Sequence, residues 1–581
     1  MFLPGHFYLV CAALLAAVFL IVAALRIATR DIWMDEAWSL FLSDPSPSLR
    51  ALIGQRLVYD VHPPLFNIVA HFARGWLPEG VFAARMINVL VLLPVIGYVA
   101  RTWMRDRAFR PVLATFAVTY TAGIFVVHYV AEFRSYYSVL MVCACYAIAS
   151  LRVMVAWLRG GSADKGDAAV LFASAALLMH LQLFSAIFVA IHGGLLLIAL
   201  GLHRRWRQAL SYAAWLTVFG LLLVVWYLRF ADLSLGAGAG GSWIPAAGPL
   251  ASIRRTMSYL LLSTPNPVLW LLAFVMVVHL LWRLRAPSRL PASPSGSPHP
   301  DTGVRGRSIA PEDLLEPAGR SHASATAAAI VLFVSMTLVV NLFTPFIVDR
   351  YFTPVAGPLA LLLSFVALAG LARSPAGLRT VTGCAILLCS AGAFAFDYLT
   401  EARRWNTGMY LQDSAREAVE LNRGCDQPVR YLTSNRLRYA INQEIALNWG
   451  ADEIARQLHF SARMAREGET IAVDARCPLV AWVLHIHGRT DDHTVQEILD
   501  EHRLKVIGAQ PQELELDSYG ANGVIRLRPG VGAGAGAGVG AGAGAGAGSG
   551  ADSGADSGAG ARSGRSADQA AGPVLSGGGL R

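Results

Sequence analysis

The sequence predicts a mainly α-helical, polytopic membrane protein of about eleven spans, followed by a small extracytoplasmic α/β domain and a disordered Gly/Ala tail. Three observations predict it. Of 581 residues, 55% are hydrophobic and only 15% charged, against roughly 25% charged in soluble domains, and the mean hydropathy is +0.47. Apolar runs of about 20 residues, the helix length that crosses a hydrocarbon core about 30 Å thick, recur up to residue 397. After residue 398 the composition returns to that of a soluble domain, and after residue 530 it becomes a Gly/Ala/Ser repeat.

Runs bounded by Arg, Pro or Gly clusters place the spans near 7–26, 81–100, 109–128, 135–155, 167–181, 183–201, 209–230, 258–282, 324–344, 352–372 and 380–397. The first reads as a retained anchor, because MFLPGH lacks the basic n-region of a cleaved signal and the run exceeds an h-region. Segment 167–201 reads as two short spans, since two keep the charge pattern in phase.

The net charge of +9 is carried almost wholly by Arg, with Lys165 and Lys505 the only lysines. It is a topology signal, because short loops rich in Arg and Lys stay cytoplasmic. Alternate loops hold Arg101, Arg105, Arg107 and Arg110; Arg152, Arg159 and Lys165; Arg204, Arg205 and Arg207; Arg283 through Arg320; and Arg373 with Arg379. With these inside, segments 27–80, 231–257, 345–351 and everything after 398 are extracytoplasmic. Residues 286–323, rich in Pro, Ser and Arg, read as a flexible cytoplasmic loop.

In the domain 398–530, Pro428 to Thr433, Thr470 to Asp474, Val480 to His485 and Gly523 to Leu527 read as strands, and 434–447 and 494–504 as helices. Cys425 and Cys477 both fall here and could pair in an oxidising compartment. The seven cysteines contain no CxxC pair, which leaves no zinc or iron–sulfur framework. Residues 531–581 lack aromatic residues and the apolar surface needed to fold.

The first outer loop carries the densest chemistry. Trp33-Met-Asp-Glu-Ala-Trp38 sets Asp35 and Glu36 between two indoles just beyond the first span. Trp prefers the headgroup level, where partial desolvation can raise a carboxylate toward a usable base; a solvated pair at a helix N-terminus is the plainer alternative. Asp60-Val-His62-Pro63-Pro64-Leu65 then opens an amphipathic helix too short to span, expected in the interface plane. His62 alone would read as a cap. Further on come Arg85 in the second span, Glu132, Arg134, Tyr136 and Tyr137 at the fourth, His180 and Gln182 between the fifth and sixth, and Asp349, Arg350 and Tyr351 before the tenth. Singly, each Arg reads as an ion pair or snorkelling anchor. Their gathering on the outer side favours a shared site, because charges beside a span usually face a partner or a wet cavity.

This order of motifs, a DE pair after the first span, D-x-H-P-P-L, an Arg in the second span, E-F-R-S-Y-Y and R-Y-F before an apolar span, resembles the GT-C superfamily of polytopic glycosyltransferases. The likeness is to its protein O-mannosyltransferase and aminoarabinose transferase group and their bacterial relatives, over residues 1–400. It implies a polyprenyl-phosphate-linked sugar donor, an acceptor hydroxyl on protein, lipid or cell-wall glycan, and inverting transfer with Asp35 as general base and Glu36 in support. Arg134 and Arg350 would bind the donor phosphate with Tyr137 and Tyr351, since a planar guanidinium stays charged and grips phosphate oxygens in pairs. Asp60, His62, Arg85 and His180 would bind substrate or support the site, Arg85 alternatively as the structural partner of an acid. No cofactor is certain. Asp35, Glu36, Asp60 and His62 could hold a divalent cation, as could His485, His487, Asp491, Asp492 and His493. Arg-rich, Lys-poor usage suggests a bacterial inner (plasma) membrane with the site facing outward. A secondary transporter or flippase is the competing class, but the large first loop has no counterpart in the second half.

Overall fold

The computed structural model describes residues 5–238, 248–285, 309–343, 347–372, 374–405, 411–433, 441–484, 494–519 and 522–529. They belong to one compact unit. The expected disordered tail, most of the Pro-rich loop, and the His485–His493 cluster lie outside the described residues.

The N-terminal helix α1 (Gly5–Thr29) leads into a folded first loop of α2 (Met34–Leu42), α3 (Leu49–Gln55), a 3-10 turn and α4 (Leu65–Arg74). The bundle continues with α5 (Val81–Arg105), α6 (Arg110–Thr121), α7 (Ile124–Tyr129), α8 (Ser135–Leu158), α9 (Lys165–Leu181), α10 (Leu183–Leu202), α11 (Trp206–Gly238), α12 (Pro249–Ser263), α13 (Pro267–Arg285), α14 (Pro317–Phe343), α15 (Thr353–Leu371) and α16 (Ala376–Trp405). Among the described residues seven helices, α5, α8, α10, α11, α14, α15 and α16, are long and apolar enough to cross a membrane, or eight if the bent pair α12–α13 is one crossing. The protein is therefore a multi-pass membrane protein.

The departures from eleven continuous spans have local causes. The run 109–128 breaks between α6 and α7 at Gly123, where a Cβ would collide with the Ser263 carbonyl, so glycine lets α7 abut the end of α12. The run 258–282 is cut at Thr264-Pro265-Asn266-Pro267, and its halves meet at 105°; each proline removes a backbone donor and crowds the preceding turn. Segment 167–181 forms α9, shorter than a full crossing.

Helices α8 and α15 are buried along nearly their whole length and form the bundle's centre. By contrast α11 and α13 expose Val218, Leu221, Val225, Leu271 and Phe274, the side expected to meet lipid, where apolar exposure costs nothing. The loops after α5 and α8 meet through ion pairs. Arg152 bridges Asp106 at 2.6 Å and Asp167 at 2.8 Å, Arg101 reaches Asp167 at 2.9 Å, and Arg159 pairs with Asp313 at 2.7 Å.

Beyond α16 comes a domain of α17 (Gln412–Leu421), β1 (Val429–Thr433), α18 (Ile441–Gln457), β2 (Ala462–Met464), β3 (Thr470–Ala472), β4 (Leu479–Leu484), α19 (Val495–Glu501), β5 (Lys505–Ile507), β6 (Leu514–Tyr519) and β7 (Asn522–Leu527). The five-stranded sheet has the order β2-β1-β4-β7-β6, parallel across β2-β1-β4 and antiparallel across β4-β7-β6, with β3 and β5 paired separately. The four expected strands are present; β2, β5 and β6 are additional, and α18 runs to Gln457, past the expected end at 447. Cys425 and Cys477 form a disulfide with Cα atoms 5.8 Å apart.

This domain packs on the first loop. Trp449 of α18 lies edge-on to Phe41 at 5.9 Å, and a Cβ on Gly450 would stand 3.3 Å from Ala37 and 2.8 Å from Leu411, so glycine sets the close approach of α18 to α2. The Leu411 amide donates to the Ile32 carbonyl at 3.4 Å, and the Val81 amide to Glu453 Oε1 at 3.1 Å.

Within the domain, Glu469 accepts from Arg463, Arg430 Nε at 2.8 Å and the Arg466 amide at 3.0 Å. The Arg463 hydrogen bonds lead, burial opposes, and the Arg466 and Arg430 bonds add, holding the carboxyl at about 2. Its stabilisation is fully present above the ordinary glutamate pKa and is lost as pH falls through the folded value. Glu469→Gln is expected to cost the domain about 1 kcal/mol at neutral pH and almost nothing near pH ~2. Equal denaturation midpoints at neutral pH would remove that role.

Candidate active site

Asp35 and Glu36 enter the first turn of α2, whose N-cap Trp33 is extended (φ −121°, ψ 167°). Adjacent helical residues point about 100° apart, and this separates their environments. Glu36 turns inward, is 0% exposed, and receives Arg85 Nε at 2.8 Å, Arg85 Nη2 at 2.7 Å and the Phe133 amide at 2.8 Å. Asp35 turns toward two other arginines.

Arg134 is the N-cap of α8, also extended, so its side chain swings back over α2. Its guanidinium donates to Ser39 Oγ at 3.0 Å and the Tyr136 hydroxyl at 3.3 Å. Arg350 lies in the 3-10 turn before α15, its amide donating to Asp349 Oδ1 at 2.7 Å and its carbonyl accepting from Thr353 and Gln182. The guanidinium sits 5.7 to 5.9 Å from the ring centroids of Trp33, Tyr136 and Tyr351. Asp35 Oδ2 is 3.3 Å from Arg350 and 3.8 Å from Arg134. All three side chains are 10 to 15% exposed.

Burial pushes the Asp35 carboxyl up, but Arg350, Arg134 and His62 together outweigh it and hold it below the usual aspartate range. It is a carboxylate at neutral pH. His62 lies edge-on to Tyr136 at 6.5 Å. Burial lowers its pKa, and although Asp60 and Asp35 oppose and the two arginines assist, the net value is about 4, so the ring is neutral. Asp60 accepts from the His62 amide at 3.2 Å and from Asn67 Nδ2 at 3.3 Å, and so shapes the turn into α4. Three buried polar atoms here have no hydrogen-bond partner: Trp33 Nε1, His62 Nδ1 and Asp35 Oδ2.

Of the residues singled out in the sequence, Asp35, Arg134, Arg350 and His62 come together, with Tyr351 at the margin stacked on Phe184 at 4.1 Å. Others lie elsewhere. Glu36 and Arg85 hold one another beneath the site, and Arg85 also donates to the carbonyls of Ile27, Arg30 and Asp31. Arg85 is thus the partner of an acid, the structural alternative given for it, and Glu36 stands behind Asp35 as a support of the loop and not beside it in the site. Tyr137 is buried against the bundle near Tyr120, so Tyr136 takes its expected place at the arginines. His180 lies edge-on to Phe219 of α11 at 6.2 Å, while Gln182, two residues on, meets Arg350.

Tyr136 and Trp33 stand in the motifs already quoted, but helix phase, which periodicity could have supplied once the start of α8 was known, decides that Tyr136 faces the site. Ser39, one turn after Asp35, carried no chemical signal. Among the described residues no group of three or more His, Cys, Asp or Glu is disposed to hold a metal. Asp35, Glu36, Asp60 and His62 in particular do not converge, since Glu36 faces Arg85 and two guanidinium groups occupy the space beside Asp35.

No protein-family model matches the chain, and no curated protein does. Its structure is similar to the crystal structure of ArnT from Cupriavidus metallidurans bound to undecaprenyl phosphate, with a TM-score of 0.49 and 12% identity over 91% of this chain and 99% of that one. It is likewise similar to the apo state of that protein, with a TM-score of 0.48 and 12% identity over 88% and 97% of the two chains. The chemistry assigned to the site rests on the site's own geometry.

Proposed function

We propose that this protein is a GT-C-type membrane glycosyltransferase that moves a sugar from a polyprenyl-phosphate donor to an acceptor hydroxyl, with inversion, and that its site end faces the extracytoplasmic side of the inner (plasma) membrane. The observation that carries the reading is one partly exposed carboxylate, Asp35, facing two arginines, Arg134 and Arg350, at the end of α8 opposite Arg152 and Arg159. One base and two phosphate-directed cations are what direct displacement of a phosphate from an anomeric carbon requires.

In this reaction the acceptor oxygen forms a bond to the anomeric carbon as the bond from that carbon to the phosphate oxygen breaks. The hydroxyl proton passes to Asp35. The electron pair of the broken bond leaves with the polyprenyl phosphate, whose added charge is met by Arg134 and Arg350. A lipid-linked donor can enter sideways from the bilayer, which accounts for a transferase built on many spans. Acceptors with this chemistry are the hydroxyls of protein, lipid or cell-wall glycan.

The test is transfer of labelled sugar from a panel of polyprenyl-phosphate mannose, glucose, arabinose and galacturonate donors to endogenous acceptors in membranes carrying the protein. Arg134→Ala and Arg350→Ala should each weaken donor use by roughly 10- to 100-fold in kcat/KM, as expected for loss of a charge-assisted phosphate contact. Unchanged kinetics in both variants would take the arginines out of the phosphate role. No transfer from any donor, with folding and acceptor supply verified, would bring the transporter class forward.

A further inference from the structure

We infer that Asp35 and the donor phosphate compete for the same two guanidinium groups, so that donor binding is what releases the base for proton abstraction. This deepens the proposed glycosyltransferase reading and rests on it. The observation is a loose ion pair. Asp35 Oδ2 lies 3.3 Å from Arg350 and 3.8 Å from Arg134, yet it is buried and accepts no aligned hydrogen bond from either. The neighbouring pair of Glu36 with Arg85 of α5 shows what a committed one looks like: Glu36 takes Arg85 Nε and Nη2 at 2.8 and 2.7 Å, with the Phe133 amide as a third donor.

The arginines are placed by contacts other than Asp35. Arg134 is held by Ser39 and Tyr136, and Arg350 by its aromatic surround of Trp33, Tyr136 and Tyr351. Both can therefore turn N–H groups to an entering phosphate without leaving their positions. Phosphate oxygens arriving in pairs make the aligned bonds that Asp35 does not, because a guanidinium fork matches that geometry. The groups facing Asp35 are then Arg134 at the N-cap of α8 and Tyr136 in its first turn, Arg350 from the turn before α15, and His62 from the first loop; Glu36, its neighbour on α2, is neutralised by Arg85. With both cations shared with the phosphate, and His62 uncharged, Asp35 is left a stronger proton acceptor than in the free protein. A base held weak until the donor is seated also has no reacting partner before the donor arrives.

The experiment measures binding of a short-chain prenyl methyl phosphodiester, which has no proton titrating near neutral pH, to full-length protein in detergent or nanodiscs. Asp35→Asn removes the competing charge and is expected to bind this probe roughly tenfold more tightly than the unaltered protein, while Arg350→Ala binds it more weakly. Equal affinity of Asp35→Asn and the unaltered protein, with Arg350→Ala weakened, overturns the competition and leaves the phosphate site standing. Arginine variants that bind as well as the unaltered protein overturn the underlying function as well. Should Asp35→Asn fail to fold, calorimetry of the unaltered protein in buffers of different ionisation enthalpy supplies the second readout. Net proton uptake on binding the phosphodiester supports the competition, and zero uptake between about pH 4 and 6, where a released carboxylate titrates, overturns it.

Discussion

Asp35→Asn is expected to lower kcat for sugar transfer by about a thousandfold, within the 10²–10⁴ range typical of a lost general base, while the protein still inserts and folds. Asn keeps the size of the side chain but cannot take the acceptor proton. Its amide leaves Arg134 and Arg350 available to the donor, so the loss should appear in kcat and not as a raised donor KM. The pH profile adds a second reading of the same residue. In the free protein Asp35 titrates below the usual aspartate range because burial is outweighed by Arg350, Arg134 and His62, so the acid limb of kcat/KM lies there. Once phosphate shares those cations, the limb of kcat should move to higher pH. Stopped or radiometric assays of both parameters in membranes with matched protein levels provide the check. Full activity in Asp35→Asn would remove it as the base.

The largest stability effect is expected at the pair beneath the site. Glu36 and Arg85 are 0% and 1% exposed, and removing one partner leaves the other as an unpaired buried charge, which typically costs about 3–5 kcal/mol. Here the cost should be toward the upper end. Arg85 also donates to the carbonyls of Ile27, Arg30 and Asp31, and Glu36 accepts from the Phe133 amide. The chain leaving α1, the start of α2 and the approach to α8 thus share one charged centre, and Asn88 on the next turn of α5 donates to the carbonyls of Tyr129, Val130 and Glu132. Glu36→Ala is therefore expected to lower the thermal midpoint in detergent sharply and to reduce transfer through the lost spacing between Asp35 and Arg134. Because backbone carbonyls also depend on Arg85, the double replacement Glu36→Leu with Arg85→Met should recover only part of the stability. A thermal midpoint of Glu36→Ala equal to that of the unaltered protein would show the centre to be dispensable.

The membrane class, the α/β domain after the last span and the Cys425–Cys477 pairing were all legible from the chain, the last only as one outcome among others. Segments such as 135–155 and 352–372 were readable because a continuous apolar run has no alternative to burial in lipid or in the bundle centre. The bend at Thr264–Pro267 and the break at Gly123 were visible as Pro and Gly, but apolar length overrode them. Their consequence depends on which helix end meets which, as when Gly123 admits the Ser263 carbonyl.

By itself, the sequence determined which residues carry charge near the ends of apolar runs, and hence the short set in which Asp35, Arg134, Arg350 and His62 appear. Only the tertiary structure decided how they are divided: Asp35 to the arginines but Glu36 to Arg85, Tyr136 to the site but Tyr137 to the core, Gln182 to Arg350 but His180 to Phe219. The physical reason is angular. Neighbours on a helix diverge by about 100°, so residues adjacent in a motif belong to different environments, and the phase is set by where packing against α5, α8 and α15 begins each helix.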